Sequence, residues 1–225
     1  TFTGTLDRLI DAWAAAFGVE VIRWDTFGWE ALRAGNRLAF GVDAVPVHDF
    51  SNADVVISFG ADCMETWLSP VDYTHGFVQA QAFTATDGRK GHFISVTAHQ
   101  SLTDMNADEW LPARPGTEHL VALAMARAIV ESGRGQAGAA SELLNRVDIA
   151  QVAEASGLSE ERIRAAGRRF ANGGRSLAVG PGVQTSHAAA TSVAAAVAVL
   201  NYVAGNIGRT VHFDRTERLG ETGTY

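Results

Sequence analysis

The run Asp54–Phe59 is apolar without alternation and rich in β-branched residues, and Gly60 stops it. That pattern predicts a strand buried on both faces, with the glycine at its carboxyl end. His92–Val96 and Ser176–Val179 read the same way, the second ended by Gly180-Pro181-Gly182. Val19–Trp24 alternates and then becomes apolar, which predicts a further strand. Between these runs the apolar residues fall at helical spacing. Thr3–Phe17 carries Leu6, Leu9, Ile10, Trp13 and Phe17 on one face, with Gly18 suited to end it. Trp29–Phe40 is stopped by Gly41, and Val71–Thr84 is expected to face inward through Phe77, Val78 and Phe83. Leu120–Val130 is apolar nearly all round, and His187–Ala204 closes the series before Gly205-Asn206-Ile207-Gly208.

Strands alternating with helices predict an α/β fold: a doubly wound, mostly parallel sheet with helices on both faces, Rossmann-like. Its expected strands are Val19–Trp24, Asp54–Phe59, His92–Val96 and Ser176–Val179. Ala107–Pro112 reads as a short extended piece limited by its proline. Gly41–Phe50 reads as a loop, Thr86–Gly91 as a polar turn and Gly133–Ala140 as a small-residue linker. Val147–Ala155 and Ser159–Phe170 form an amphipathic pair broken at Ser156-Gly157-Leu158, so residues 147–172 read as a small helical insertion before the last strand. One α/β domain over 1–225 is expected, with a loose polar tail after Phe213.

The chain has 225 residues, 47% of them hydrophobic and 19% charged, as in an ordinary globular protein with a sizeable core. Its net charge of −7 argues against nucleic acid as a partner. The helical pair has helix-turn-helix spacing, but Arg164, Arg168 and Arg169 are its only basic cluster. Ala188–Leu200 is the longest apolar helical run and falls short of the roughly 20 residues that span a bilayer, so no direct membrane span is expected. Thr1 is not an initiating residue, and the chain reads as a segment of a longer protein without a signal peptide. Cys63 is the single cysteine, which excludes an iron–sulfur cluster or an internal disulfide within the chain and suits a packing role.

Ligands of open α/β sheets sit outside the carboxyl ends of the strands. Gly60–Glu65, Thr97–Ser101, Glu118 and Gly180–Gly182 are therefore the candidate crevice. No catalytic Ser-His-Asp set and no metal cluster is readable. Asp62 and Glu65 are spaced for acid–base work or, more simply, for capping the next helix and satisfying loop amides. His75, His99 and His187 stand singly, in ordinary surface or hydrogen-bonding roles. Trp67 and Trp110 read as interface or core anchors.

Four pieces in order resemble the molybdopterin oxidoreductase (dimethyl-sulfoxide-reductase-like) superfamily. They are the Asp54–Phe59 strand with Gly60–Thr66, then Asn106–Glu118, then Gly180–Gly182, then Leu200–Tyr202 with Gly205–Gly208. Ser58–Asp62, Glu65–Pro70 and Ser101–Thr103 are closest to the large iron–sulfur subunit of alternative complex III, a quinol:electron-acceptor oxidoreductase. The resemblance implies a domain of a respiratory or photosynthetic membrane complex that passes electrons from quinol to a cytochrome c or copper protein. Other domains and subunits of that complex would be its partners. The implied location is peripheral, periplasmic or on the outer face of the cytoplasmic membrane, with a cytoplasmic location as the alternative.

In catalytic relatives the region binds molybdopterin guanine dinucleotide. The resemblance carries that role onto Gly60, Ala61, Asp62, Glu65, Thr97, His99, Ser101, Arg114, Glu118, Gly180 and Gly182. Glu118 stands where an Asp usually reads guanine, and Arg114 faces either a phosphate or the surface. Two departures stand out. Asp62-Cys63 replaces an Asn-Pro step, and Thr97-Ala98-His99-Gln100 replaces Asp-Pro-Arg-Arg. An Asp beside a pyrophosphate is repulsive, and His and Gln do not reproduce the guanidinium fork. The expectation is a scaffold half without its own molybdenum, with no cofactor in this segment and clusters only in other parts of the subunit. A catalytic dinucleotide-binding domain and a central domain of the thiamine-diphosphate type are the alternatives. The Arg114–Glu118 piece and the Gly205–Gly208 ending disfavour the second.

Overall fold

The structure, a computed structural model, describes residues 4–24, 28–82 and 90–216. Helix α1 (Gly4–Phe17) and helix α2 (Glu30–Phe40) precede strand β1 (Pro46–His48) and strand β2 (Val55–Ser58). Then come α3 (Pro70–Gln81), β3 (His92–Val96), β4 (Glu109–Leu111), α4 (Glu118–Glu131) and a short α5 (Ser141–Asn145). The helical pair α6 (Ile149–Ser156) and α7 (Glu160–Asn172) leads to β5 (Ser176–Val179), α8 (Ala190–Val203) and β6 (Val211–Thr216).

Four strands form one parallel sheet in the order β4-β3-β2-β5. The pleat divides their side chains between two cores. Ile57, Ile94, Val96 and Ala178 face a core shared with α4, α6, α7 and α8. Val56, Phe93, Leu177 and Val179 face a second core with Leu32 of α2, Tyr73 and Phe77 of α3, and Trp67. The doubly wound α/β arrangement is thus present. β1 and β6 pair antiparallel as a separate ribbon.

Val19–Trp24 is not a strand. Arg23 turns back to Asp7 and Asp11 of α1, and Val19 N–H bonds to Ala14 O, so local contacts hold the segment along the helix. The fourth sheet strand is instead the short piece Glu109–Leu111, whose Pro112 falls just beyond its last ladder position. The Gly41–Phe50 loop contains β1, and the tail supplies β6 before the described residues end. Val78 points to solvent, while Phe77 is buried; Phe83 and most of the predicted 86–91 turn lie outside the described residues. Leu6, Leu9, Trp13 and Phe17 of α1 lie together on its exposed side. Trp67 is fully buried, so it anchors the core and not an interface.

Helix ends follow local chemistry. Asp148 accepts from Ala150 and Gln151 N–H at the start of α6, and Ser159 accepts from Arg162 N–H at the start of α7. Gly41 and Gly157 close α2 and α6 in the left-handed conformation, φ 72° and 77°. Gly35 lets α2 lie against α8: a Cβ there would stand 2.3 Å from Ala194 Cβ.

β5 is the sheet edge, and side chains close it. Asn201 donates to Ala178 O at 2.8 Å and accepts from Ala178 N–H at 3.0 Å. Asn206 donates to Asn201 Oδ1 and accepts from Ser176 Oγ, and Thr210 Oγ1 donates to Ser176 O. An edge with satisfied backbone groups cannot recruit another strand. Asn201→Ala would strand two buried backbone groups, and each such loss costs about 1–3 kcal/mol. The expected result is a fall of about 2–4 kcal/mol in unfolding free energy, read as a lower urea midpoint with unchanged slope.

Candidate functional site

β2, β3 and β4 run outward in sequence order, and β5 returns to the other side of β2. The strand order therefore reverses between β2 and β5, the point where an open α/β sheet forms its ligand crevice. The two strands end there in Gly60 (φ 72°) and Gly180 (φ 138°). Protein atoms occupy the room that these glycines leave. A Cβ on Gly60 would stand 2.5 Å from Thr185 Cγ2, one on Gly180 2.6 Å from Phe59 O, and one on Gly182 2.4 Å from Gly60 O. Trp67 Nε1 donates to Pro181 O at 2.7 Å across the same junction.

A polar network lies above the junction. Gln184 Nε2 donates to Asp62 Oδ1 at 2.6 Å and to Asp104 Oδ2 at 2.7 Å. Asp104 also accepts from Ser95 Oγ (2.6 Å), Ser101 N–H (3.0 Å) and Ser101 Oγ (2.9 Å). Asp62 and Asp104 are both buried. Burial raises the Asp62 pKa, opposed by hydrogen bonds from Ser101 and Gln184 and reinforced by the charges of Asp104 and Glu65. The Asp62 backbone O accepts from the N–H groups of Glu65, Thr66 and Trp67, which holds the Gly60–Trp67 turn. Glu65 Oε2 accepts from Thr103 N–H at 3.3 Å.

The sheet end thus brings Gly60, Ala61, Asp62, Glu65, Ser101, Gly180 and Gly182 together. Thr97 is buried beside them, with its Oγ1 on Ser95 Oγ and Trp110 Nε1. His99 sits on the exposed rim. Arg114 is directed elsewhere: its guanidinium donates to Glu154 O and Ala155 O at the end of α6. Glu118 is buried at the start of α4, with His187 Nε2 3.3 Å from Glu118 Oε2. His187 Nδ1 accepts from Ala189 N–H, while among the described residues neither His187 Nε2 nor Glu118 Oε2 has a hydrogen-bond partner. Burial pushes the Cys63 thiol up to about 12, with the charges of Asp104 and Asp62 adding to it, so the thiol stays protonated and inert.

Sequence reasoning missed Asp104 and Gln184. Asp104 follows Ser101 by three residues, the spacing of a local Ser–Asp turn, and that signal was available. Gln184 is 80 residues from Asp104 and has no local signature.

The fold and crevice define a doubly wound α/β domain whose carboxyl end is acidic at Asp62 and Asp104 and keeps a cavity of about 400 Å³ between Trp29–Leu32 and Pro181–Val183. No protein-family model matches the chain. Over 166 residues it is 26% identical to the menaquinone reductase molybdopterin-binding-like subunit of Nitratidesulfovibrio vulgaris, a match covering 72% of the chain and 24% of that protein. Over 123 residues it is 32% identical to iodate reductase subunit IdrA of Denitromonas iodatirespirans, covering 52% of the chain and 13% of that protein. Its fold is similar to acetylene hydratase from Pelobacter acetylenicus, with a TM-score of 0.61 at 17% identity, over 78% of the chain and 24% of that structure. These matches support the resemblance to the molybdopterin oxidoreductase superfamily, and the chain spans about a quarter or less of each of these relatives.

A carboxyl whose folded pKa is raised loses stability as pH climbs from its unfolded pKa through the folded one. Asp62→Asn keeps an acceptor for Gln184 and removes the charge. It should raise the urea midpoint at pH 7, and the gain should fade as pH drops toward 4, near the ordinary Asp value of about 3.9.

Proposed function

We propose that this chain is a non-catalytic domain of a membrane-associated, multi-subunit electron-transfer oxidoreductase, without molybdenum or pterin of its own. The observation that carries this reading is the Asp62–Gln184–Asp104 network at the switch point. A pterin dinucleotide would bring its pyrophosphate to that end of the sheet. There it would meet two buried acids and, among the described residues, no guanidinium, because Arg114 is engaged on α6. Like charges placed together in a buried site cost several kcal/mol. Glu118, the residue in the guanine-reading position, lies 3.3 Å from His187 Nε2 without a hydrogen bond to it. The residues present therefore do not fit the anionic dinucleotide, and no redox step is assigned to them.

What the chain's residues do is hold a rigid doubly wound body that other parts of the complex can pack against. Iron–sulfur clusters and quinone chemistry, on this reading, belong to other domains and subunits. The relative from Nitratidesulfovibrio vulgaris is named both a subunit and molybdopterin-binding-like, which supports this placement. Alternative complex III, a quinol-oxidising assembly, is the type of complex proposed. Among the described residues no helix is long and apolar enough to cross a membrane, in keeping with a peripheral position, which we place on the outer face.

The test is metal and nucleotide analysis of the purified full-length protein in its complex. Absence of molybdenum and of released guanine nucleotide, with electron transfer intact, is the expected outcome. Stoichiometric molybdenum with guanine nucleotide, both lost when the Gly60–Asp62 turn is altered, would establish the catalytic alternative.

A further inference from the structure

The amino ends of the same strands carry charge of the opposite sign. A cavity of about 870 Å³ opens there, between the starts of β2, β3 and β5 and the last turn of α7. Among the described residues its cations are Lys90, Arg168, Arg169 and Arg175, and its acids are Asp54 and Glu109. Each acid already has a partner: Asp54 holds Arg175 at 3.3 Å, and Glu109 lies 3.7 Å from Arg162. Lys90 is bonded to Asp108 at 2.5 Å. Arg168 and Arg169 remain. They are adjacent and exposed on α7, and among the described residues neither has a carboxylate partner.

His92 lines the same cavity, and its Nε2 is buried without a hydrogen-bond partner. Burial, and then the charge of Arg169, holds its pKa below the ordinary value, so the ring is neutral and either nitrogen can carry the proton. On a chain of net charge −7, the described residues of this mouth carry two positive charges in excess, four cations against two acids. The volume lies within the range of small-molecule sites. Guanidinium forks bind phosphate and carboxylate oxygens in pairs, which a single hydrated ammonium does not.

We propose that the amino-end cavity binds a small multivalent anion, carrying phosphate or several carboxylates, on Arg168 and Arg169, with Arg175 and Lys90 at its rim. This site lies across the sheet from the Asp62–Gln184–Asp104 end, so it does not depend on whether that end holds a cofactor.

The test is calorimetric titration of the purified full-length protein, at low salt, with inorganic pyrophosphate and separately with citrate. One anion per chain is expected. Binding should weaken at least about tenfold in the Arg168→Ala/Arg169→Ala double variant, in which two charge-assisted contacts are lost. It should be unchanged in Arg146→Ala, a surface arginine elsewhere, and in Asp62→Asn. Binding of pyrophosphate alone would assign the site to phosphate, and binding of both to charge and size; either supports the proposal. Absence of binding with both probes, or binding that the double variant leaves intact, would overturn it. All three substitutions at arginine fall on exposed side chains, and circular dichroism of each variant establishes that it is folded.

Discussion

Two loops meet at the switch point of the sheet, with only the Thr185 side chain packed against Gly60 where they join. Gly60 lies against Thr185, and Gly182 lies against Gly60 and Ala61. Everything at the carboxyl end follows from that contact. It fixes the strand ends of β2 and β5 side by side, and it carries the Gly182–Thr185 turn that brings Gln184 over Asp62 and Asp104. A larger residue at either glycine would force the loops apart. Glycine at a strand end is usually read as room for a ligand. Here the room is used by the neighbouring loop.

A parallel sheet with helices on both faces points helix amino ends, and their partial positive charge, toward the carboxyl ends of its strands. A phosphate is one way to use that field. In this chain its own carboxylates are placed in it: Glu118 in the first turn of α4, and Asp62 and Asp104 in the loops beside it. Each has hydrogen-bond donors or a histidine nearby in place of a lysine or arginine. Arg168 and Arg169, without a carboxylate partner among the described residues, are at the opposite end, toward the carboxyl end of α7. The domain is therefore electrically polarised along its strands, and the two ends are suited to different neighbours.

The edge of the sheet shows how a motif can carry structure where a ligand role is tempting. Asn201 and Asn206 lie in the Leu200–Gly208 segment that resembles the superfamily. Their amides complete the hydrogen bonding of β5, and Thr210 adds a third contact. That closed edge lets α8 lie along β5 while α2 packs on it through Gly35. Arg114 behaves similarly. Its guanidinium closes the end of α6, and so ties the helical pair to the turn before α4.

The sequence by itself determined the three unbroken apolar strands, because burial on both faces leaves continuous apolar runs. It determined the glycine ends of α2 and α6 and the start of α7 at Ser159 as well, since glycine and serine act within one turn of themselves. It misread Val19–Trp24, where alternation imitates a strand but Arg23 ties the segment to α1. It undervalued Glu109–Leu111, whose three residues are too few to show a period. The chemistry of the crevice was legible only in part. Asp62 and the loss of the arginine pair stood in the sequence, and the direction of each charged side chain did not. Gln184 reaches two carboxylates that are 122 and 80 residues away, Arg114 leaves the crevice for α6, and Glu118 turns to His187. Those choices depend on which loops the folded sheet brings within a hydrogen bond of each other, and only the tertiary structure decides that.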